Sequence, residues 1–196
     1  MKMEKNLNIK IIGVAGVARA GKDTFGNAAG KKIKSLNYDY QILSFADEVK
    51  RDLDPLIKKT FGFSAFTEVT EEKEIIRPVL IAWGTHVMRK HNENHWIDKI
   101  KKNIKNDANV VYVVTDVRYV NECEWIQSFN QGCAVHVSRD NVKPNNTEEI
   151  KNDPILQKKC DVKLILPDLS ENNKEHQKKY DHFLNDFIKN YLNNEY

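Results

Sequence analysis

Gly13 to Thr24 reads GVAGVARAGKDT, and the fold follows from how those residues have to be arranged. The run in front of it, Ile9 to Val14, is almost continuously apolar and β-branched, the pattern of a strand buried on both faces. The run behind it, Lys22 to Leu36, puts Phe25, Ala28, Ala29 and Ile33 close to one face of a helix. Between them stand Gly16, four residues, then Gly21 and Lys22. A chain that leaves a strand and wraps its amides around a phosphate needs glycines for unusual dihedrals and close approach. The next helix adds free N–H groups and the positive end of its dipole. Lys22 is expected to reach the β- and γ-phosphates of a nucleotide as a mobile point charge. The cradle therefore takes in Gly16, Arg19, Ala20, Gly21, Lys22, Asp23 and Thr24, with Arg19 against the nucleotide. One position departs from the usual pattern. Asp23 follows the lysine where a Ser or Thr that ligates Mg²⁺ is common, and Thr24 comes one step later. Asp23 either faces the metal or caps the helix, and Thr24 can donate to a phosphate oxygen.

Strand and helix patterns alternate outward from this loop. Gln41–Phe45, Val110–Thr115, Ala134–Val137 and Val162–Leu166 read as further strands. Helices are expected after Asp47, with Val49, Leu53, Leu56 and Ile57 at helical spacing, and over Asn121–Phe129. A last helix carries the stripe Phe183, Leu184, Phe187, Ile188, Tyr191 and Leu192. This order predicts an α/β fold of three layers, a mostly parallel five-stranded sheet with helices on both faces, in a single domain spanning 1–196. Residues 61–107 hold helical patterns without a strand and read as a substrate-binding insertion. Residues 139–160, polar and containing Pro144 and Pro154, read as a lid.

Composition narrows the function. Thirty-one basic and 28 acidic side chains leave a net charge of +3, too balanced for a protein that wraps nucleic acid. No apolar run approaches the ~18–20 residues that cross a bilayer, and Met1–Lys10 lacks the apolar core of a leader peptide. Cys123, Cys133 and Cys160 are odd in number and widely spaced, which suits buried thiols in a reducing, cytoplasmic compartment. The expected partners are small-molecule nucleotides. Neither nucleic acid nor a membrane is expected, and a second copy of the chain is left open.

No Asn-Lys-x-Asp occurs, and Asp-x-x-Gly occurs only at Asp23–Gly26 inside the cradle, which argues against a GTPase switch. GVARAGKDT, SFADEVK (Ser44–Lys50), RPVLIAWGTHVMRK (Arg77–Lys90) followed by His95-Trp96-Ile97, and TDVRYVNECEWI (Thr115–Ile126) together resemble the bacteriophage deoxynucleoside monophosphate kinases of the P-loop superfamily. The resemblance covers roughly Ile9 to Arg139. Arg77, Leu80, Gly84, Thr85, Arg89 and Trp96 match that family's pattern, while Ile81 and His86 replace an expected Gln and Glu in the part tied to base or sugar recognition. It implies phosphoryl transfer from ATP, with Mg²⁺, to a deoxynucleoside monophosphate in the host cytoplasm. Two rivals stand beside it: a P-loop kinase of another phosphorylated metabolite, such as phosphomevalonate or dephospho-coenzyme A, and a nucleotide-binding module without catalysis.

Each remaining candidate has a plain reading beside the chemical one. Asp116, at the end of VVYVVT, is expected to coordinate Mg²⁺, or else to serve as a turn or cap residue. Arg118 reads as a catalytic phosphate contact or as a salt bridge to Glu122 or Glu124. Pro78 suits a first helical turn, which would leave Arg77 at a helix mouth to hold the acceptor phosphate. Arg89 is a second contact or a solvated cation. Asp47 and Lys50 touch substrate, or Asp47 simply caps. Arg139 can swing onto the transferring phosphate as an arginine finger supplied in cis. Trp83 and Trp96 stack on a base or belong to a core, and His91 and His95 read as loop residues before a zinc pair.

Overall fold

The computed structural model describes residues 8–167 and 174–194. Lys2 and Lys5, in the stretch read for a leader, lie outside them. In chain order the elements are β1 (Lys10–Ala15), α1 (Lys22–Ser35), β2 (Asp39–Ser44), α2 (Phe45–Phe61), α3 (Thr70–Ile81), a π-helical segment (Ala82–Met88), α4 (Arg89–His91) and α5 (His95–Lys101). There follow β3 (Val110–Val117), α6 (Val120–Gln127), β4 (Gln131–Arg139), α7 (Thr147–Lys159), β5 (Val162–Leu166) and α8 (Lys174–Leu192). The chain divides into two compact units, one of residues up to Leu43 together with Lys105 onward, the other Ser44–Ile104.

The first unit is built on a five-stranded sheet in the order β2-β3-β1-β4-β5. β1 runs parallel to β3 and to β4, and β4 runs parallel to β5. Side chains alternate across β1 with a period of two. Ile12 and Val14 join Phe25, Ala29 and Ile33 of α1 and Leu184, Phe187, Ile188 and Tyr191 of α8 in one core. On the opposite face, α6 presses close to β1: a Cβ at Gly13 would lie 2.3 Å from Ile126 Cδ1. The expected three layers are therefore present, with β1 at the centre of the sheet and the cradle at its C-terminal end. Among the described residues, no helix is long and apolar enough to cross a membrane.

The second unit is helical, as expected for an insertion without strands, but it begins at α2 and so includes a helix that the sequence assigned to the main body. Its core is Leu53, Ile57, Ala65 and Ile76, with Phe63, Leu80 and Trp83 against it. Three expectations change here and in the lid. The N-cap of α2 is Ser44, so Asp47 does not cap the helix and lies inside its first turn, where a carboxylate still favours the dipole. Pro78 lies well inside α3, which starts at Thr70, so Arg77 is not at a helix mouth. Much of the proposed lid is the helix α7, with Asn146 as its side-chain cap and Pro154 inside it.

Asp54 ties the end of α2 to the chain beyond it. Its carboxylate accepts from Ser64 Oγ at 2.6 Å and from the Ala65 amide at 2.9 Å, and lies 2.7 Å from Lys58 Nζ. Lys58 first, then Ser64, hold its carboxyl down to about 2. A depressed carboxylate stabilises the fold above its unfolded pKa, and that stabilisation is lost as pH falls through the folded value. Asp54→Asn should therefore melt below wild type at pH 7, and the difference should close as pH falls from about 4 toward about 2 in paired thermal melts.

Candidate active site

The loop between β1 and α1 has the backbone that the glycines imply. Gly16 has φ +137° and Gly21, the N-cap of α1, has φ +103°. A Cβ at Gly16 would sit 2.1 Å from the Val137 carbonyl oxygen of β4, so this position admits no side chain without moving backbone. Arg19 is exposed and also left-handed, at φ 67°. Ala20 is buried, and its amide donates to Val17 O at 3.3 Å. Asp23 and Thr24 are exposed in the first turn of α1, and no side chain hydrogen-bonds as its cap, so Asp23 is not the cap.

Lys22 is only 6% exposed. Its ammonium donates to Val17 O at 2.8 Å and lies 3.4 Å from Asp116 Oδ1. Burial lowers its pKa, and Asp116 partly offsets this. Asp116 faces the lysine because β3 carries an irregularity. Gly13 pairs with Val114 but Ala15 pairs with Val117, so one extra residue is accommodated on β3. Asp116 takes φ 65° inside that bulge, a conformation uncommon outside glycine. Burial opposes its charge, but Arg118 and Lys22 outweigh burial and hold the carboxyl below its ordinary value.

Arg118 is brought into the same cluster. Its Nε donates to Asp116 Oδ1 at 2.9 Å, and Nη1 donates to Glu149 Oε1. Burial works against this guanidinium, yet Asp116 and Glu149 raise its pKa. The rival partners of the sequence reading, Glu122 and Glu124, make other contacts as well. Glu122 accepts the backbone amides of Arg118 and Tyr119, at 2.8 and 3.0 Å, and Glu124 pairs with Lys159 at 2.8 Å. Arg139 ends β4 beside the cradle: a Cβ at Gly21 would lie 2.8 Å from its Nη2. Its Nη1 donates to Pro167 O at 2.9 Å, and its buried Nε has no hydrogen-bond partner among the described residues.

Lys22, Asp116 and Arg118 thus meet at the end of β1, with Arg139 at the N-terminus of α1. The sequence reading missed Glu149, which is 5% exposed and also accepts from the Ala18 amide of the cradle at 3.1 Å. The available signal was the spacing Asn146-x-x-Glu149, a cap residue with a glutamate three positions on.

The other candidates belong to the second unit. Asp47 and Lys50 pair at 3.5 Å in α2, and Lys50 Nζ lies 5.3 Å from the Phe66 ring centre. Arg77 is exposed on α3. Arg89 is half-buried, with Nη1 donating to Glu93 O at 3.2 Å. Trp96 is corrected to a core residue. It is 1% exposed, its indole N–H donates to Gly84 O at 2.9 Å, and His95 meets it edge-on, which leaves no face for a base. Trp83 donates to Asp52 at 3.3 Å.

A family model described as phosphomevalonate kinase matches residues 14–132. The chain belongs to the phosphomevalonate kinase family. The match takes in the cradle, the whole second unit and the β3 bulge, and it ends before Arg139 and Glu149. The kinase character of this fold rests on that match together with the cradle. Solved structures similar to the chain include a shikimate kinase from Bacteroides thetaiotaomicron, 13% identical with a TM-score of 0.45, covering 92% of this chain and 98% of that one. A shikimate kinase from Aquifex aeolicus is 17% identical with a TM-score of 0.41, covering 89% and 95%. An APS kinase from Mycobacterium tuberculosis is 11% identical with a TM-score of 0.38, covering 90% and 96%. No curated protein matches the chain.

Two substitutions check this geometry. Gly16→Ala should abolish ATP binding by calorimetry and lower stability by more than about 1 kcal/mol, since both dihedral and space forbid the methyl group. Trp96→Phe should lower stability by about 1–3 kcal/mol through the lost bond to Gly84 and the smaller ring. It should leave nucleotide affinity within about twofold, whereas a base-stacking tryptophan would cost more.

Proposed function

We propose that the chain transfers the terminal phosphoryl group of ATP to the phosphate of a small phosphate monoester, giving a diphosphate and ADP. The observation that carries this reading is the meeting of Lys22, Asp116 and Arg118 at the end of β1, beside the glycine-bearing loop that leads into α1. Phosphoryl transfer asks for positioning and charge stabilisation more than for covalent chemistry, and this cluster is suited to both.

The family match favours phosphomevalonate as the acceptor. The second reading, a deoxynucleoside monophosphate, rests on the order of motifs from Ser44–Lys50 through Arg77–Lys90 to Thr115–Ile126. Both acceptors present a phosphate monoester, and both reactions form the same kind of anhydride. Lys22 binds the transferring phosphate, Arg118 and Arg139 neutralise charge around it, and Arg77 holds the acceptor phosphate. Asp47, Lys50 and Arg89 are the further acceptor-side residues.

Mg²⁺ fits the donor set. Among the described residues there is no cluster of three or more His, Cys, Asp or Glu placed to hold a metal. A magnesium ion carried in with a nucleotide needs only one or two carboxylates besides phosphate oxygens and water. Asp116 supplies one, and Asp23 or Thr24 in the first turn of α1 would add an oxygen. Bound there, Mg²⁺ neutralises charge on the β- and γ-phosphates.

Coupled ADP release with ATP and Mg²⁺ tests the reading, using phosphomevalonate, dephospho-coenzyme A and the common nucleoside monophosphates in ribo and deoxy forms. Phosphomevalonate should be turned over best. A deoxynucleotide winning the panel would establish the second reading, and tight ATP binding without ADP from any acceptor would remove catalysis. Lys22→Met should cut turnover by two or more orders of magnitude, on the scale of ~10²–10³ for losing one charge-stabilising donor.

A further inference from the structure

Glu149 makes more connections than a helix-capping glutamate requires. Oε2 accepts the Asn145 amide at 2.9 Å, and the Glu149 amide is itself capped by Asn146 Oδ1 at 2.9 Å, which completes the start of α7. Oε1 takes no part in that turn. It accepts from the Ala18 amide of the phosphate loop at 3.1 Å and from Nη1 of Arg118. One oxygen thus joins a loop amide to a guanidinium that leaves a different strand.

The physical consequence concerns Arg118. An arginine side chain has much rotamer freedom to lose, and a planar fork acts on a phosphate only when its plane is fixed. Asp116 holds the Nε edge at 2.9 Å, and Glu149 holds Nη1. With both ends held, the guanidinium cannot rotate away from the cradle, and its position is referred to the cradle itself through Ala18. We infer that Glu149 is a positioning residue. It locks the Arg118 guanidinium against the phosphate loop, so that the arginine meets the transferring phosphate preorganised.

This inference rests on the reading of Arg118 as a phosphate contact in an ATP-dependent kinase, and its test separates the two. The full chain is compared as wild type, Glu149→Gln, Glu149→Asp, Arg118→Ala and the double variant Glu149→Gln/Arg118→Ala, with folding checked by thermal melts. Asn146→Ala serves as the control that loosens α7 without touching the carboxylate. With ATP, Mg²⁺ and the acceptor that wins the panel, Glu149→Gln should lower kcat about tenfold or more. The KM for ATP should move by less than about threefold. In the Arg118→Ala background the same change should cost little further, because its effect passes through the arginine. Asn146→Ala should leave kcat close to wild type. Independently of turnover, the Nε–Hε resonance of Arg118 in ¹⁵N spectra, assigned by its loss in Arg118→Ala, should be sharp in wild type and broadened or shifted in Glu149→Gln.

Equal losses in both backgrounds, or an Arg118 resonance unmoved by Glu149→Gln, would overturn the inference. If Glu149→Gln does not fold, Glu149→Asp takes its place. It keeps the charge, withdraws it by one methylene, and should show the same kcat loss and the same coupling. If wild type transfers phosphate to no acceptor, the kinase reading fails while the resonance still decides whether Glu149 fixes the arginine.

Discussion

An ammonium with almost no access to water sits where β1 gives way to α1, and the surrounding structure has to answer for its charge. Desolvating an ion costs several kcal/mol unless partners replace the lost water. Lys22 finds a carbonyl of its own loop and the carboxylate of Asp116. Asp116 in turn binds Arg118, and Arg118 binds Glu149. The chain of charges ends on backbone amides at Ala18 and Asn145. Two cations and two anions balance within this cluster. On the proposed reading, a polyphosphate entering the cradle meets a cluster whose two cations and two anions balance, with Arg139 beside it, and gains most when it arrives with a divalent cation that can draw on Asp116.

The backbone carries this arrangement at a conformational cost. Gly16 and Gly21 reach their positive φ freely, but Arg19 and Asp116 adopt the left-handed region with side chains attached. Such residues persist where the surroundings over-determine them, and they gather at functional sites. Asp116 lies on β3, which the sheet holds between β2 and β1, and β1 is in turn held by β4 on its other side. The rigid centre of the sheet is thus what lets a strained aspartate point at a lysine from another turn.

The sheet was legible because buried parallel strands are continuous apolar runs, and VVYVVT and Ile9–Val14 could hardly be anything else. Lys22 and its loop were legible because glycine spacing encodes backbone geometry directly. Asp116 was recognised by its position at a strand end, but nothing in TDVR announces a bulge, since the extra residue exists only relative to β1. Glu149 went unread because its partners are far away in sequence, and a polar stretch with two prolines resembles a loop. Pro154 lies inside α7, as Pro78 lies inside α3, each giving up one amide hydrogen bond. Trp96 misled for the opposite reason: an aromatic at a motif position invites a ligand, while its indole N–H had a carbonyl to satisfy inside the unit.

The spacing of Arg77 and Arg89 shows why residue counts alone do not decide which cations share a ligand. Twelve residues of α-helix amount to about 3.3 turns, which would set the two arginines on different sides. Ala82–Met88 is instead π-helical, and bonding from i to i+5 takes roughly 4.4 residues per turn. That slower rotation brings the total to about three whole turns, so the arginines return to one side of the composite helix. The cause is local. Gly84 lies buried against Val49, where a Cβ would stand 3.3 Å from Cγ2, and its carbonyl is taken by the Trp96 indole. Along the axis their backbone positions are on the order of 15 Å apart. Arg77 is exposed, while Arg89 is half-buried with a hydrogen bond to Glu93 O. On the proposed reading, the arginine more open to an incoming anion is Arg77.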